Sequence, residues 1–135
     1  QFNDQAVAEN YSLREARYLV QRPECDFRSN ALGDDPHQVK LRCFSGTLIS
    51  MVLATDMSKH FEILSLFKMH VADNPKLKNK STLHKWNIMN DHQKTLTLQM
   101  AAKVADIGHN ALPVELTQLW VMRLQEECFR QVVKD

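Results

Sequence analysis

Two aspartates follow apolar helical runs, and both could hold or orient a cation. Asp106 ends one such run and is followed by Gly108, whereas Asp56 follows another run directly after Thr55. Carboxylate oxygen is a ready ligand for Mg²⁺ and Zn²⁺. A helix end fixes where that oxygen points, and Gly108 would let the backbone leave the helix in a left-handed conformation. Either aspartate alone is more simply explained as a helix-end group, and Thr55 with Asp56 as a capping break between two helices.

A third polar pair, Glu9 and Asn10, falls inside the first predicted helix. Apolar residues recur at helical spacing, and only 3 Gly and 4 Pro interrupt the 135 residues, so the sequence predicts a single all-α domain. The first predicted helix is capped by Asn3 and Asp4 and stops at Pro23, and the second runs from Asp35 and Pro36 to about Asp56. A third is capped by Ser58 and continues to Met69. A fourth runs from Asn90 or Asp91 to Asp106, and a fifth begins at Pro113.

Burial can be anticipated from the same spacing. The second helix is apolar on nearly every side from Thr47 onward, which predicts burial on most faces, and Gly46 would allow close approach of a neighbouring helix. The three well-separated cysteines predict buried thiols in a reducing compartment, and therefore a cytoplasmic protein. They are Cys25, Cys43 and Cys128.

Charge and hydropathy argue against nucleic-acid binding through net charge and against a membrane-spanning segment. The formal net charge of +1 argues against a protein that grips nucleic acid through its net field. The longest apolar run, residues 48–54, is too short to cross a bilayer. The lysine-rich segment 72–85 is predicted to be a solvated loop, since the alternative of an anionic-surface contact lacks interleaved aromatic residues.

Several blocks, in order along the chain, resemble the class I 3′,5′-cyclic-nucleotide phosphodiesterases. The most specific is Leu53-Ala54-Thr55-Asp56-Met57, and a second is Ala105-Asp106-Ile107-Gly108-His109. Further matching blocks are Asn3-Asp4 with Val7, Glu9 and Asn10, then Cys25-Asp26-Phe27, and the stretch from Leu119-Trp120 to Arg130-Gln131. The resemblance implies that residues 1–135 form part of a compact, multi-helix catalytic domain of the HD type.

The resemblance also implies a site. Asp106 falls on a metal ligand of a centre with two divalent cations, zinc with magnesium or manganese, which would generate hydroxide and clamp the phosphate of cAMP or cGMP. Glu9, Thr55 and Asp56 fall on residues that orient metal-bound water. The implied pocket wall consists of Met57, Ile107, His109, Val121, Leu124, Gln125 and Cys128. Helical spacing alone explains Leu124 and Cys128 equally well as core residues.

Two departures from the family pattern bear on activity. Tyr11 and Ser12 stand where the family has two histidines, and Ser12 lacks their reach and basicity. The family's other metal ligands and its purine-binding segment are absent from these residues. We therefore expect this chain alone to bind metal weakly, to be inactive, and to expose apolar faces through which it could self-associate. The alternatives are a non-catalytic module that binds nucleotide or protein, and a plain helical interaction protein.

Overall fold

The computed structural model describes residues 5–33 and 38–132, and these form the predicted all-α architecture. The α-helices are α1 (Val7–Val20), α2 (Arg28–Leu32), α3 (Val39–Leu53), α4 (His60–Phe67), α5 (Thr82–Ile88), α6 (Asp91–Asp106) and α7 (Val114–Val132). A 3₁₀ turn (Met57–Lys59) precedes α4, a π-helical turn (Lys68–Ala72) follows it, and a second 3₁₀ turn (Gly108–Ala111) follows α6. The predicted helix starts at Asn3, Asp4, Asp35 and Pro36 lie outside the described residues.

The chain divides into two compact units, and the division falls within α6. The first unit is Gln1–Ala102 and the second is Lys103–Asp135. The core of the first unit is small and comprises Val71, Leu77, Met89 and Leu96, with Leu66 and Phe67 packed against it. Because it buries few side chains, each of them carries a large share of the unit's stability.

The prediction of a solvated loop over residues 72–85 was partly wrong. Leu77 is a core residue with 3% of its surface exposed, and α5 already begins at Thr82. The Ser81 hydroxyl caps α5 by accepting a hydrogen bond from the His84 amide at 3.4 Å. A single apolar residue between lysines has no periodicity, so its burial was not visible in the sequence.

Polar side chains brace α6 within the first unit. Asn90 and Gln93 bond each other reciprocally at the start of α6, each amide N–H reaching the other's side-chain oxygen at 3.1 and 2.9 Å. The side-chain Nε2 of Gln93 also donates to the carbonyl of His70 in the π-helical turn at 2.9 Å. Six residues further along α6, Gln99 Nε2 donates to Ser50 Oγ of α3 at 2.8 Å. These bonds fix α6 against α3 and against the π-helical turn that follows α4.

Burial of α3 and of the cysteines was predicted wrongly. None of the residues of α3 is fully buried, Leu48 is 40% exposed, and a Cβ at Gly46 would meet no atom within 4 Å. Cys25, Cys43 and Cys128 are all exposed. Helical periodicity shows which face of a helix is apolar, but it does not show whether these residues supply a partner for that face.

Exposed apolar faces, by contrast, were predicted and are confirmed. Helix α7 alone exposes Leu116, Leu119, Trp120, Val121, Met122, Leu124 and Phe129 by 40% or more. A groove of about 470 Å³ between α1 and α3 is lined by apolar residues that include Leu13, Val20, Phe27 and Phe44. Contiguous apolar surface of this kind is typical of an interaction face. Self-association through these faces stays a prediction.

In the second unit, α7 is tied to the 3₁₀ turn before it. The Thr117 hydroxyl lies 3.1 Å from the carbonyl oxygens of both His109 and Leu112. Glu126 and Arg130, four residues apart, form an ion pair on the outer face of α7. Gly108 begins the 3₁₀ turn and does not have a positive φ, so the predicted left-handed exit from α6 was wrong.

Arg28, the first residue of α2, forms an ion pair with Asp26 that predicts a pH dependence, and it also bonds the end of α1. Arg28 Nε donates to Asp26 Oδ1 at 2.8 Å, and Arg28 Nη2 donates to the Val20 carbonyl at 3.1 Å. The hydrogen bonds from Arg28 lower the pKa of Asp26 below its ordinary 3.8. This contribution to stability is therefore present above about pH 4 and is lost as the pH falls through the lowered pKa.

We expect Arg28→Gln to return the pKa of Asp26 toward its ordinary value. The matched control is Arg22→Gln, because the Arg22 guanidinium lies over the Tyr18 ring and not beside Asp26. NMR titration of the Asp26 carboxyl carbon measures the pKa directly. Equal titration curves for the two variants would contradict the assignment of the shift to Arg28.

Candidate functional site

Asp106 is the last residue of α6, as predicted, and its side chain is exposed. The helix ends cleanly, because the Ile107 amide donates to the Lys103 carbonyl at 3.0 Å and the chain then enters the 3₁₀ turn. The carboxylate is thus carried at a fixed helix end and open to a ligand. This local geometry suits a cation ligand, although it is also compatible with a plain helix-end group.

Thr55 and Asp56 form the corner between α3 and α4. The corner is anchored by Ala54, which is 2% exposed, and by the Thr55 hydroxyl, which donates to the Val52 carbonyl at 2.8 Å. Asp56 Oδ1 accepts a hydrogen bond from the Ser58 amide at 2.8 Å and so caps the 3₁₀ turn. The predicted cap of α4 at Ser58 was wrong, since Asp56 caps the preceding 3₁₀ turn and α4 begins after Lys59 without a side-chain cap. The capping alternative for this pair is therefore an observed role.

A role for Asp56 beyond capping can be separated by two substitutions. Asp56→Asn keeps an oxygen that accepts from Ser58, so we expect it to preserve the free energy of unfolding while removing the charge. Asp56→Ala removes both the charge and the oxygen that accepts from Ser58, and we expect it to cost about 1 kcal/mol of stability. Urea denaturation of both variants measures the difference. If Asp56→Asn is as destabilising as Asp56→Ala, the charge itself, and not only the cap, supports the fold.

Glu9 lies in the first turn of α1 and is half-buried. The neighbouring Asn10 is accommodated inside the helix because its side-chain Nδ2 donates to the carbonyls of Gln5 and Ala6 at 3.1 and 3.0 Å. Those bonds hold a helix start at which Ala6 is left-handed and no side chain caps α1. Glu9 is therefore placed on a firmly held first turn.

Tyr11 and Ser12, the departures from the family pattern, are both exposed on α1. The guanidinium of Arg14 lies 5.6 Å from the centre of the Tyr11 ring. Tyrosine and serine have no imidazole nitrogen, so neither replaces the histidines of the family pattern, the second of which is expected to reach the metal-bound water.

The predicted pocket-wall residues fall into both units. Met57, in the first unit, is 60% exposed at the start of the 3₁₀ turn. In the second unit, Ile107 and His109 are half-buried, and the His109 ring centre lies 5.9 Å from that of Trp120. Val121, Leu124, Gln125 and Cys128 are exposed and follow helical spacing along one face of α7. The core alternative for Leu124 and Cys128 does not hold here, because neither is buried.

Thr117 is a residue that the sequence analysis missed. It lies one helical turn before Val121, on the same face of α7 as Leu124 and Cys128. Since its hydroxyl bonds the 3₁₀ turn that carries His109, it orients the proposed wall relative to that turn. The available signal was a threonine four residues after Pro113, where a side chain can bond back to the preceding turn.

The side chains described do not by themselves fit a metal centre. Over residues 5–33 and 38–132, no group of three or more His, Cys, Asp or Glu residues is arranged to hold a metal ion. Glu9, Thr55, Asp56 and Met57 belong to the first unit, and Asp106 with the other predicted wall residues belongs to the second. A single exposed carboxylate is too few ligands for a structural or catalytic cation.

Comparison with known proteins identifies the class. Residues 1–135 match the family described as 3′5′-cyclic nucleotide phosphodiesterase, and the chain belongs to this family. Membership implies use of divalent metal in general. No helix in the described part of the chain is long and apolar enough to span a membrane.

Three relatives illustrate the match. The chain is 36% identical over 135 residues to "Probable 3′,5′-cyclic-AMP phosphodiesterase pde-4" of Caenorhabditis elegans, covering 99% of this chain and 18% of that protein. It is 31% identical to "High affinity cGMP-specific 3′,5′-cyclic phosphodiesterase 9A" of Homo sapiens, covering 96% and 19%. It is 32% identical to "3′,5′-cyclic-AMP phosphodiesterase 4C" of Rattus norvegicus, covering 96% and 23%. The chain thus spans about a fifth of these relatives, and no solved structure matches it.

Proposed function

We propose that this chain is part of a metal-dependent phosphodiesterase that hydrolyses cAMP, cGMP or both to the 5′-nucleoside monophosphate. In that reaction a water oxygen joins phosphorus, the bond from phosphorus to the 3′ oxygen breaks, and the 3′ oxygen takes up a proton. The observation that carries the proposal is the family match over all 135 residues. Relatives named for cAMP and for cGMP both match, so the proposal keeps both nucleotides.

Asp106 is proposed as one metal ligand of the intact domain. Its exposed position at the end of α6 supports this role, and the remaining ligands would have to come from outside these residues. Zinc with magnesium or manganese is the proposed pair. Because one carboxylate cannot hold two cations, we propose that this chain alone binds neither tightly and is inactive.

Glu9, Thr55 and Asp56 are proposed to hold metal-bound water. Support comes from their placement on firmly held backbone: the first turn of α1 for Glu9, and the anchored corner after Ala54 for the other two. A group that orients bound water must itself be fixed, and its loss costs about 10- to 100-fold in activity or metal affinity.

The proposed substrate wall combines an apolar face with a few polar groups, as nucleotide pockets do. Val121, Leu124 and Cys128 would pack against the purine or ribose, and Gln125 and His109 could donate or accept hydrogen bonds. Their exposure supports a surface still open to a ligand. A cytoplasmic location is proposed because the three cysteines are odd in number and far apart in the sequence, a pattern unlike a disulfide framework.

The test is turnover by a polypeptide that supplies the rest of the family's catalytic domain around this chain. We expect it to convert cAMP or cGMP to the 5′-monophosphate with added Mg²⁺, while the 135-residue chain alone gives no product. Product separation by ion-exchange chromatography distinguishes the 5′ from the 3′ isomer. A folded domain that binds either nucleotide without turnover would overturn the proposal in favour of a non-catalytic binding module, which the substitution by Tyr11 and Ser12 motivates.

A further inference from the structure

The segment 74–90 of the first unit concentrates positive charge. It carries Lys76, Lys78, Lys80 and Lys85 and no Asp or Glu, although the whole chain has 17 basic and 16 acidic side chains. Lys76, Lys78 and Lys80 are exposed. We call these four lysines, together with the exposed apolar residues of α5, the lysine face.

Helix α5 places exposed apolar side chains among these charges. Leu83 is 73% exposed, Ile88 is 44% exposed and Trp86 is 38% exposed, while Met89 at the end of the helix is anchored in the core. Because the anchor and the Ser81 cap hold both ends of α5, these side chains project from a fixed element.

Two of these lysines adjoin one apolar residue of α5. Lys76, Lys80 and Ile88 line the same open hollow of about 440 Å³. Lys80 Nζ lies 3.4 Å from His84 Nε2, and Lys94 Nζ lies 5.9 Å from the centre of the Trp86 ring. The aromatic residue that the sequence analysis found missing from the lysine-rich segment is therefore supplied by Trp86, just beyond it.

We propose that the lysine face docks on the surface of an anionic phospholipid bilayer. Lysines near such a surface each contribute about 1 kcal/mol, and tryptophan with a few apolar side chains prefers the boundary between headgroups and acyl chains. Leu83 projects with most of its surface bare, which suits insertion into a soft interface. A peptide partner would instead need a groove to enclose such a side chain. This inference does not depend on the proposed phosphodiesterase activity.

The experiment uses the 135-residue chain with Trp120→Phe, so that Trp86 is the one remaining tryptophan. It is mixed with vesicles of phosphatidylcholine containing about one third phosphatidylserine, and with phosphatidylcholine alone. We expect co-sedimentation with the anionic vesicles, a blue shift of Trp86 emission, and weakening of both by salt. Neutral vesicles measure any adsorption through the exposed faces of α3 and α7.

Two triple variants separate a local face from net charge. Lys76→Gln with Lys78→Gln and Lys80→Gln should weaken binding about a hundredfold, since each lysine contributes about fivefold. The matched control removes three exposed positive charges elsewhere, through Lys59→Gln, Lys68→Gln and Arg123→Gln, and should weaken binding less than about tenfold. Circular dichroism checks that both variants are folded.

Three outcomes would overturn the proposal. The first is equal binding to neutral and anionic vesicles. The second is an equal loss in both triple variants, which would make net charge the cause. The third is binding to heparin or to a polyglutamate peptide as tight as to anionic vesicles, with Trp86 emission unchanged, which would assign the face to a soluble polyanion. A tenfold loss on Leu83→Ser with anionic vesicles would support insertion of the apolar tip.

Discussion

Asp106→Asn is expected to lower kcat of a complete phosphodiesterase domain that contains this chain by about a thousandfold. Asparagine has nearly the same size and remains at the end of α6, but its neutral amide oxygen is a weaker ligand for a divalent cation than a carboxylate. The carboxylate is exposed, so the free energy of unfolding should change little. The loss should therefore appear in turnover and in metal content by mass spectrometry, and not in stability.

The control for Asp106 is a carboxylate on the same helix. Asp91 is exposed at the first turn of α6, as Asp106 is exposed at its last residue. Asp91→Asn removes an equal charge, so its kcat should stay within about twofold of the original. If Asp106→Asn keeps full metal content and turnover, Asp106 is a helix-end group and the proposed metal site loses the one ligand that this chain offers.

Helix limits could be predicted wherever local chemistry decides them. The last residue of α6 and the start of α7 after Pro113 follow from apolar spacing and from proline at a helix start, both local properties. Leu77 shows the limit of this reasoning, since its burial depends on Val71, Met89 and Leu96 and not on its lysine neighbours. The exposure of α3 has the same origin, because an apolar face is buried only where a partner exists.

In the candidate site, too, local features could be predicted from the sequence and contacts between separate elements could not. The capping role of Asp56 is local and was among the alternatives that the sequence left open. The Thr117 bond to the turn at His109 joins two elements and was missed. The sequence indicates one metal ligand through resemblance, and the described residues do not supply a cluster of further ligands.

Leu96→Ala is expected to destabilise the first unit by about 3 kcal/mol. Leu96 is 3% exposed and packs in a cluster with Val71, Leu77 and Met89. Truncation removes its transfer free energy and leaves a cavity that α6 cannot close, because Gln93 and Gln99 hold the helix on either side. The core is small, so this loss is a large fraction of the unit's stability.

Leu83→Ala deletes the same atoms from a side chain that is 73% exposed in the same unit, and it should change the free energy of unfolding by less than about 0.5 kcal/mol. Urea denaturation followed by Trp86 fluorescence in the Trp120→Phe background reports both variants through one probe within the first unit. A difference below about 1 kcal/mol between the two variants would mean that the cluster around Leu96 is too loosely packed to hold this unit together. The bracing of α6 by its glutamines, and not the apolar cluster, would then be the main source of order in the first unit.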